Sequence, residues 1–285
     1  MTGTSGRLWR EKWTTKQRLA LKAGLLVMGL LVLMWMPTGV MGQELQTPDA
    51  EGASPAWLVR HVEDFEITGD GSDRAWDHTE WVTLTRRSNP NRVPDYRTRA
   101  KLLYSDNGLY LLFDNVDHVV TATMLDHFQR LWQEDVIELF LWTDPTRRTY
   151  FEYELSPLNR ELPIIVDNVD GELTHWLPHF HTYHDDHPRK TEHMVSLRGL
   201  ESGGTLSGEP SDSTFSGAAV SGWSAEVFIP FDLLRPLENE RPASGTTWRA
   251  NLYRIDYDEG SVHWSWQPYR SNFHDIDQFG TLLFE

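Results

Sequence analysis

The residues best suited to ligand chemistry lie between Leu131 and Trp142, where an aromatic residue and several carboxylates precede a strand-forming run. In a β-strand, successive side chains point to opposite faces of the sheet. This alternation puts Asp135, Ile137, Leu139 and Leu141 on one face and Val136, Glu138 and Phe140 on the other. A carboxylate among apolar residues is costly unless a partner binds it. Glu138 therefore predicts a polar site built into a β-sheet.

Composition excludes several classes of function. The chain of 285 residues has a formal net charge of −16, which disfavours a nucleic-acid partner because few cations could neutralise phosphates. The 13 Trp, 9 Tyr and 12 Phe exceed what an average core needs, and together with the acidic surface they favour a neutral ligand or a cation such as calcium. Cysteine is absent, which excludes disulfides, thiolate metal sites, cysteine nucleophiles and a lipoprotein anchor.

The first 42 residues are typical of a signal peptide. Basic residues precede the apolar run Ala23–Met36, which is short for a membrane span, and small residues near Gly42 offer a cleavage point. Residues 1–42 hold six Lys or Arg and one Glu, so their removal changes the net charge from −16 to −21. We expect an exported protein, periplasmic or extracellular, with an uncleaved signal anchor as the alternative and no other membrane segment.

The remaining chain predicts an all-β domain. A polar linker at 43–56 precedes a single domain at 57–285, in which about ten short apolar runs alternate with turn residues and no long amphipathic helix occurs. Residues 98–116 show the clearest hairpin, with Asn107-Gly108 at its turn. The Gly/Ser/Thr-rich segment 196–219 is expected to be a mobile insertion. The pattern indicates an antiparallel β-sandwich.

An ordered set of motifs spans nearly the whole predicted domain and resembles the family 9 carbohydrate-binding modules. The motifs are Asp70-Gly71 with Asp73 and Trp76, LYSDNGLYLLF, Trp132-x-x-Asp135-x-x-Glu138, GWSAEVFIPFDLL, Trp248 to Asp256, Trp264-Ser265-Trp266 and SNFHDIDQFG. The resemblance implies a jelly-roll-like β-sandwich that binds oligo- or polysaccharides without catalysis. It also implies an association with enzymes that degrade xylan or cellulose.

The resemblance further implies which residues hold the sugar. Two aromatic rings sandwich a terminal sugar in such modules, and Trp132 and Phe273 match those positions, with Phe standing where xylanase-linked members carry Trp. Glu138 matches a carboxylate that accepts from sugar hydroxyls, and Glu154 stands near a position where the family has arginine. The full predicted site consists of Trp132, Phe273, Glu138, Asp135, Asp117, Tyr253 and Arg270.

Two other functions remain open from the sequence. A glycoside hydrolase needs two carboxylates about 5–9.5 Å apart across the scissile bond. Asp135 and Glu138 could supply them, but a spacing of three residues on a strand puts them on opposite faces. A haem-binding electron-transfer sandwich is the other alternative, with Met124 and His127 as axial ligands. A Soret band would identify a haem protein, and release of reducing sugar would identify a hydrolase.

Two segments could bind metal ions, although no cofactor is predicted with certainty. His179, His181, His184 and His187 form a run with Asp185 and Asp186 that could bind zinc or copper, but its spacing is irregular and favours a solvated loop. The acidic turn from Asp70 to Asp73 favours turn chemistry, with a structural calcium ion as the alternative.

Overall fold

A computed structural model describes residues 55–88, 96–176, 187–200, 206–208, 215–258 and 260–285, all within the compact unit Gly52–Glu285. This part of the chain contains fifteen β-strands and four short 3-10 helices. The strands are β1 (Trp57–His61), β2 (Val82–Thr83), β3 (Thr85–Arg86), β4 (Thr98–Tyr104), β5 (Gly108–Asn115), β6 (Val136–Trp142), β7 (Thr149–Leu155), β8 (Glu161–Val169), β9 (Glu172–Trp176), β10 (Glu192–Arg198), β11 (Leu206–Gly208), β12 (Gly222–Pro230), β13 (Thr247–Asp256), β14 (Val262–Ser265) and β15 (Gly280–Phe284). The 3-10 helices are Arg74–His78, Leu131–Gln133, Phe231–Leu234 and Ile276–Gln278.

The strands form two sheets joined by one strand. The front sheet has the order β15-β13-β6-β7-β8-β9, with β14 and β3 added beside β13, and the back sheet has the order β11-β10-β12-β5-β4, with β2 beside β4. Strand β1 runs parallel to β15 through Trp57–Val59 and then parallel to β4 through Arg60 and His61. The predicted all-β sandwich is confirmed, but its strands are more numerous than predicted and two of the strand pairs are parallel.

The alternation read from the sequence places the core between the sheets. Ile137, Leu139 and Leu141 of β6 belong to the same buried cluster as Leu111 and Phe113 of β5 in the back sheet. The opposite face of β6 carries Val136, Phe140 and Trp142, which belong to a separate buried cluster covered by loops. The front sheet is therefore buried on both faces, and its outer face is available for a site beneath those loops.

The acidic turn at Thr68–Asp73 closes over the outer face of the back sheet. Glu226 of β12 is fully buried and accepts from the backbone N–H groups of Thr68 at 3.0 Å and Gly69 at 2.7 Å. Its other oxygen accepts from the Trp76 indole at 2.7 Å. Gly69 has a φ of +83°, and a Cβ there would lie 2.8 Å from Met194. Within the turn, Asp70 accepts from the Ser72 N–H at 2.9 Å and Asp73 accepts from the Ala75 N–H at 2.8 Å, which agrees with the predicted turn chemistry.

Two boundaries differ from those expected. The Gly/Ser-rich insertion cannot begin at Ser196, because Ser196–Arg198 complete β10 and pair with β12, and Leu206–Gly208 pair with β10 in turn. At its other end, Ala219 forms a bridge to Val119.

In the described ranges, no helix is long and apolar enough to cross a membrane. The predicted signal peptide at 1–42 lies outside the described residues, as does nearly all of the linker.

Replacement of Glu226 by Ala is expected to destabilise the domain by about 3–5 kcal/mol, because it leaves several buried N–H donors without an acceptor. Urea denaturation followed by circular dichroism measures the change in the free energy of unfolding. Glu66→Ala, which removes an exposed carboxylate from the same region, serves as the control. A loss no larger than that of the control would contradict the anchoring role of Glu226.

Candidate functional site

Three carboxyl groups lie side by side on the outer face of the front sheet. Glu138 of β6 is directly opposite Glu154 of β7 on one side and Tyr253 of β13 on the other. Glu152 lies on the same face of β7, two residues before Glu154 in the chain. The exposed fractions of Glu138, Glu152 and Glu154 are 2%, 5% and 0%. Directly opposite residues have Cβ atoms about 4.5–5.5 Å apart, so these carboxyl groups share one small volume.

Burial changes the ionisation of all three groups. Loss of hydration raises the pKa of Glu138 and of Glu154 well above the ordinary value, and repulsion from the neighbouring carboxyls raises it further. Desolvation raises the pKa of Glu152 to about 8, although its hydrogen bond with Glu154 opposes the shift. The cluster therefore holds protons at neutral pH, because three adjacent charges without water would repel one another strongly.

The hydrogen bonds of the cluster are incomplete. The backbone N–H of Trp132 donates to Glu154 Oε2 at 3.1 Å. Glu154 Oε1 and Glu152 Oε2 are buried and accept from no N–H or non-carboxyl O–H group among the described residues. When one of the two carboxyls is protonated, the side chains of Glu152 and Glu154 share a hydrogen bond. Both oxygens therefore keep lone pairs that can accept further hydrogen bonds.

Aromatic rings surround the carboxyl groups. Trp132 is half-buried in the 3-10 helix Leu131–Gln133, and the Tyr257 hydroxyl fixes this helix by donating to the Trp132 carbonyl at 2.9 Å. Phe273, from the loop before Ile276, stacks on Tyr253 with ring centroids 4.0 Å apart and planes 7° apart. One face of Phe273 is thus covered by protein. Tyr253, Trp132 and Phe273 belong to one apolar cluster on this face, and Glu138 lies directly opposite Tyr253.

Tyr253 has a different task from the one predicted. Its side chain is fully buried, and its hydroxyl donates to the Phe273 carbonyl at 2.8 Å while accepting from the Asn251 amide at 2.8 Å. Because both hydrogen-bonding directions of the hydroxyl are used internally, Tyr253 supports the Phe273 loop and offers no free group to a sugar. Arg270 is exposed in that loop, and its backbone N–H donates to Asp275 at 3.0 Å.

Asp117 and Asp135 lie in a separate buried cluster, which corrects their predicted place in the sugar site. Asp117 forms an ion pair with Arg254 at 2.9 Å and accepts from the Trp223 indole at 2.8 Å. Asp135 accepts from the backbone N–H groups of Thr121 at 2.7 Å and Tyr257 at 2.8 Å. Desolvation raises the pKa of each of the two carboxyls. These carboxyls hold the loops that carry Trp132 and Tyr257 onto the sandwich.

Several residues of the site escaped prediction. Glu152 and Glu154 carry a readable signal, since alternation in Thr149–Leu155 places Tyr150, Glu152 and Glu154 on one face. His274 had no such signal, because its place depends on the loop: its Nδ1 lies 2.5 Å from the Tyr150 hydroxyl and 3.8 Å from Glu152. Burial lowers the pKa of His274 to about 4, so at neutral pH this histidine supplies no charge to Glu152.

The groups that could bind a metal ion or haem differ in their surroundings. The carboxylates of Asp117, Asp135 and Asp258 approach within 4.8 Å of one another, but Arg254 already provides a cation beside Asp117. Met124 packs against the outer-face cluster of the front sheet, whereas His127 lies beside Glu161 and His193. The histidines at 179, 181 and 184 lie outside the described residues. A structural calcium ion at Asp70–Asp73 stays a prediction.

Comparison with known proteins agrees with this architecture. A model of the "Carbohydrate family 9 binding domain-like" family matches residues 67–162, which confirms the resemblance inferred from the motifs. A proposed carbohydrate-binding protein from Bacteroides uniformis has a TM-score of 0.61 at 18% identity, with 81% of this chain and 99% of that chain covered. No curated protein matches the chain.

A family 9 carbohydrate-binding module from Caldicellulosiruptor kristjanssonii also shares the fold. Its complex with cellotriose gives a TM-score of 0.54 at 17% identity over 81% of this chain and 94% of that chain. Its complex with glucose gives 0.50 at 15% identity over 80% and 95%. At these identities, the likeness establishes the β-sandwich and leaves the ligand of the present chain to be argued from its own residues.

Replacement of Glu152 by Gln is expected to change the pH dependence of stability. A carboxyl whose pKa is raised from 4.5 to about 8 in the folded state keeps a proton that the unfolded chain releases over this range. Rising pH therefore favours unfolding of the wild type, and Glu152→Gln should gain about 1–3 kcal/mol relative to it between pH 4.5 and 8.

Thermal and urea denaturation across this pH range measures the difference in the free energy of unfolding. Glu172→Gln, which neutralises an exposed carboxylate on β9 of the same sheet, is the control and should show a nearly constant difference. A difference between wild type and Glu152→Gln that does not change with pH would show that Glu152 ionises normally.

Proposed function

We propose that this protein binds carbohydrate without catalysis through the outer face of its front sheet. The observation that carries the proposal is the group of three buried carboxyls, which offers oxygen lone pairs on Glu152 and Glu154, next to the half-buried ring of Trp132. The match to a family 9 carbohydrate-binding domain-like model over residues 67–162 supports it. The relatives solved with cellotriose and glucose indicate the class of ligand to test first.

A sugar ring has the chemistry that this face requires. Its C–H faces are apolar and pack against aromatic rings, while its hydroxyl groups donate and accept hydrogen bonds around the rim. The remaining lone pairs of the Glu152 and Glu154 oxygens accept from such hydroxyls, and Trp132 provides the apolar platform. A protonated carboxyl can also donate, so the cluster can meet a hydroxyl in either direction.

The expected affinity is modest. Covering about 150 Å² of apolar area is worth roughly 4 kcal/mol at ~25 cal/mol per Å². Each hydrogen bond at the rim adds about 1 kcal/mol, and the entropy of association removes several kcal/mol. With a few such hydrogen bonds the net binding free energy is on the order of 4 kcal/mol, which corresponds to a dissociation constant of about 1 mM.

Access to the carboxyls requires movement of a covering loop. Glu138 and Glu154 are at most 2% exposed, and the ring of Phe273 rests on Tyr253 beside them. We place this movement in the loop that carries Phe273, which requires release of the hydrogen bond from the Tyr253 hydroxyl to the Phe273 carbonyl. In the bound state, the face of Phe273 away from Tyr253 provides the second aromatic surface.

The biological setting belongs to the same proposal. The signal-like residues 1–42 support export to the periplasm or the extracellular space, and sugar binding fits a role in the breakdown of xylan- or cellulose-type polysaccharide beside secreted degrading enzymes. We include a structural calcium ion in the proposal only as a component that stabilises the fold. The sugar identity and any preference for chain ends follow from a glycan screen of the domain.

Trp132→Ala is expected to abolish measurable binding of a cello- or xylo-oligosaccharide while leaving the fold intact, because it removes the stacking surface. Trp132→Phe should retain weaker binding through its smaller ring. Isothermal titration calorimetry measures the affinity, and circular dichroism checks the fold. Trp81→Ala, which removes a half-buried indole of the back-sheet region, is the matched control and should bind like the wild type.

Two outcomes would contradict the proposal. Wild-type affinity in Trp132→Ala, together with loss of binding in Trp81→Ala, would place the sugar on the other side of the sandwich. Release of reducing sugar by the wild type, abolished in Glu138→Gln, would show that the adjacent carboxyls catalyse hydrolysis.

A further inference from the structure

A second cluster of potential ligand groups lies away from the aromatic face. One ring nitrogen from each of His127 and His193 and a carboxylate oxygen of Glu161 approach within 4.8 Å of one another. Glu161 is 2% exposed, and the two histidines are half-buried. The three residues come from separate parts of the chain: the loop before β6, the first residue of β8 and the second residue of β10.

The fold explains how the three side chains meet. Glu161 has the same parity on β8 as Ile165, which faces the core between the sheets. His193 has the same parity on β10 as Val195 and Leu197, which face the core from the opposite side. Glu161 and His193 therefore face each other across one end of the sandwich, with 3.8 Å between Glu161 Oε2 and His193 Nε2.

Neighbouring groups orient the ligand atoms as they do around bound metal ions. His193 Nδ1 lies 2.8 Å from Asn159 Oδ1, so this nitrogen donates and directs the lone pair of Nε2 toward Glu161. The hydroxyls of Tyr153, at 3.0 Å, and Thr191 donate to Glu161 Oε2. Around bound metal ions, a histidine ligand commonly donates its other N–H to an oxygen, and a ligating carboxylate is itself hydrogen-bonded.

His127 is held against the same point by the backbone. Its Nδ1 accepts from the Glu161 N–H at 3.3 Å, and the N–H of the next residue, Phe128, donates to the Glu161 carbonyl at 2.9 Å. Phe128 has a φ of +65°, a conformation that non-glycine residues seldom adopt. The loop therefore turns sharply at the position that brings the imidazole of His127 to Glu161.

We propose that His127, Glu161 and His193 form a binding site for a divalent transition-metal ion, with Zn²⁺ as the expected occupant. Two imidazoles and one carboxylate form a ligand set that zinc uses, with bonds of about 2.0–2.2 Å. Because His127 Nδ1 accepts from the Glu161 N–H, neutral His127 carries its proton on Nε2. Coordination of an ion therefore requires His127 to give up this hydrogen bond while side-chain rotation brings the three groups together. Because the set supplies imidazole nitrogen, it favours zinc over calcium, which takes oxygen ligands.

A metal ion at this point joins the two sheets to the loop that carries Trp132. Glu161 belongs to the front sheet, His193 to the back sheet, and His127 lies five residues before Trp132. The ion consequently acts as a clamp at one end of the sandwich. It stabilises the folded state whether or not a sugar binds, so the proposal is independent of the carbohydrate site.

Titration of the metal-free protein with Zn²⁺ tests the site, with calorimetry for stoichiometry and a thermal scan for stability. We expect one ion per chain at this site and a rise in Tm that increases with the zinc concentration. His193→Ala and His127→Ala each remove a proposed ligand, so each should weaken zinc binding by at least about 10–100-fold and should remove the rise in Tm. Asn159→Ala should weaken it by about 10–100-fold.

Two controls make the test specific. His78→Ala removes an exposed histidine and should leave the titration unchanged. A variant with His179, His181 and His184 replaced by Ala should retain the ion and the rise in Tm. Loss of zinc binding in that variant, with retention in His127→Ala and His193→Ala, would overturn the proposal, as would the absence of zinc binding to the wild type. Circular dichroism of the metal-free variants verifies that each one folds.

Discussion

The proposed binding face depends on three carboxyl groups that are kept out of water on the outer face of the front sheet. The hydrophobic cluster between the sheets lies on the other face of the same strands, so that cluster does not require Glu138, Glu152 and Glu154 to be carboxyls. Their burial costs solvation and raises their pKa values, and it leaves lone pairs of Glu152 and Glu154 that accept from no N–H group among the described residues. Such a face suits a ligand with several hydroxyl groups, which would form hydrogen bonds with the buried carboxyls.

The remaining architecture supplies what that face needs. Antiparallel pairing of β13, β6 and β7 sets Tyr253, Glu138 and Glu154 in one row, and the loops before β6 and β15 bring Trp132 and Phe273 over it. Buried polar groups hold those loops: Asp135 binds backbone N–H groups at both Thr121 and Tyr257. On the other side of the sandwich, Glu226 fixes the Thr68–Trp76 segment in the same manner. Carboxylates thus act as loop anchors in two places and form the proposed ligand surface in a third.

The sequence predicted what depends on local patterns. Alternation in β6 put Glu138 on the face opposite Ile137 and Leu139, and turn residues around short apolar runs indicated the sandwich. It could not predict the parallel pairing of β1 with β15, because the partners lie more than 200 residues apart. Nor could the sequence show that Asp117 pairs with Arg254 and that Asp135 binds backbone N–H groups. Carboxylates with such structural roles cannot be distinguished in a sequence from carboxylates that bind ligands. The convergence of Glu152 and Glu154 with Glu138 needed the register between β6 and β7.

The most direct test of the account is a crystal structure of the protein bound to an oligosaccharide selected in a glycan screen. We predict a sugar ring packed against Trp132, with its hydroxyls within hydrogen-bonding distance of Glu138, Glu152 or Glu154 and with the Phe273 loop displaced to admit it. A sugar bound elsewhere, such as beside Trp81 on the back sheet, with the three carboxyls still covered as they are here, would contradict the assignment of this face as the binding site.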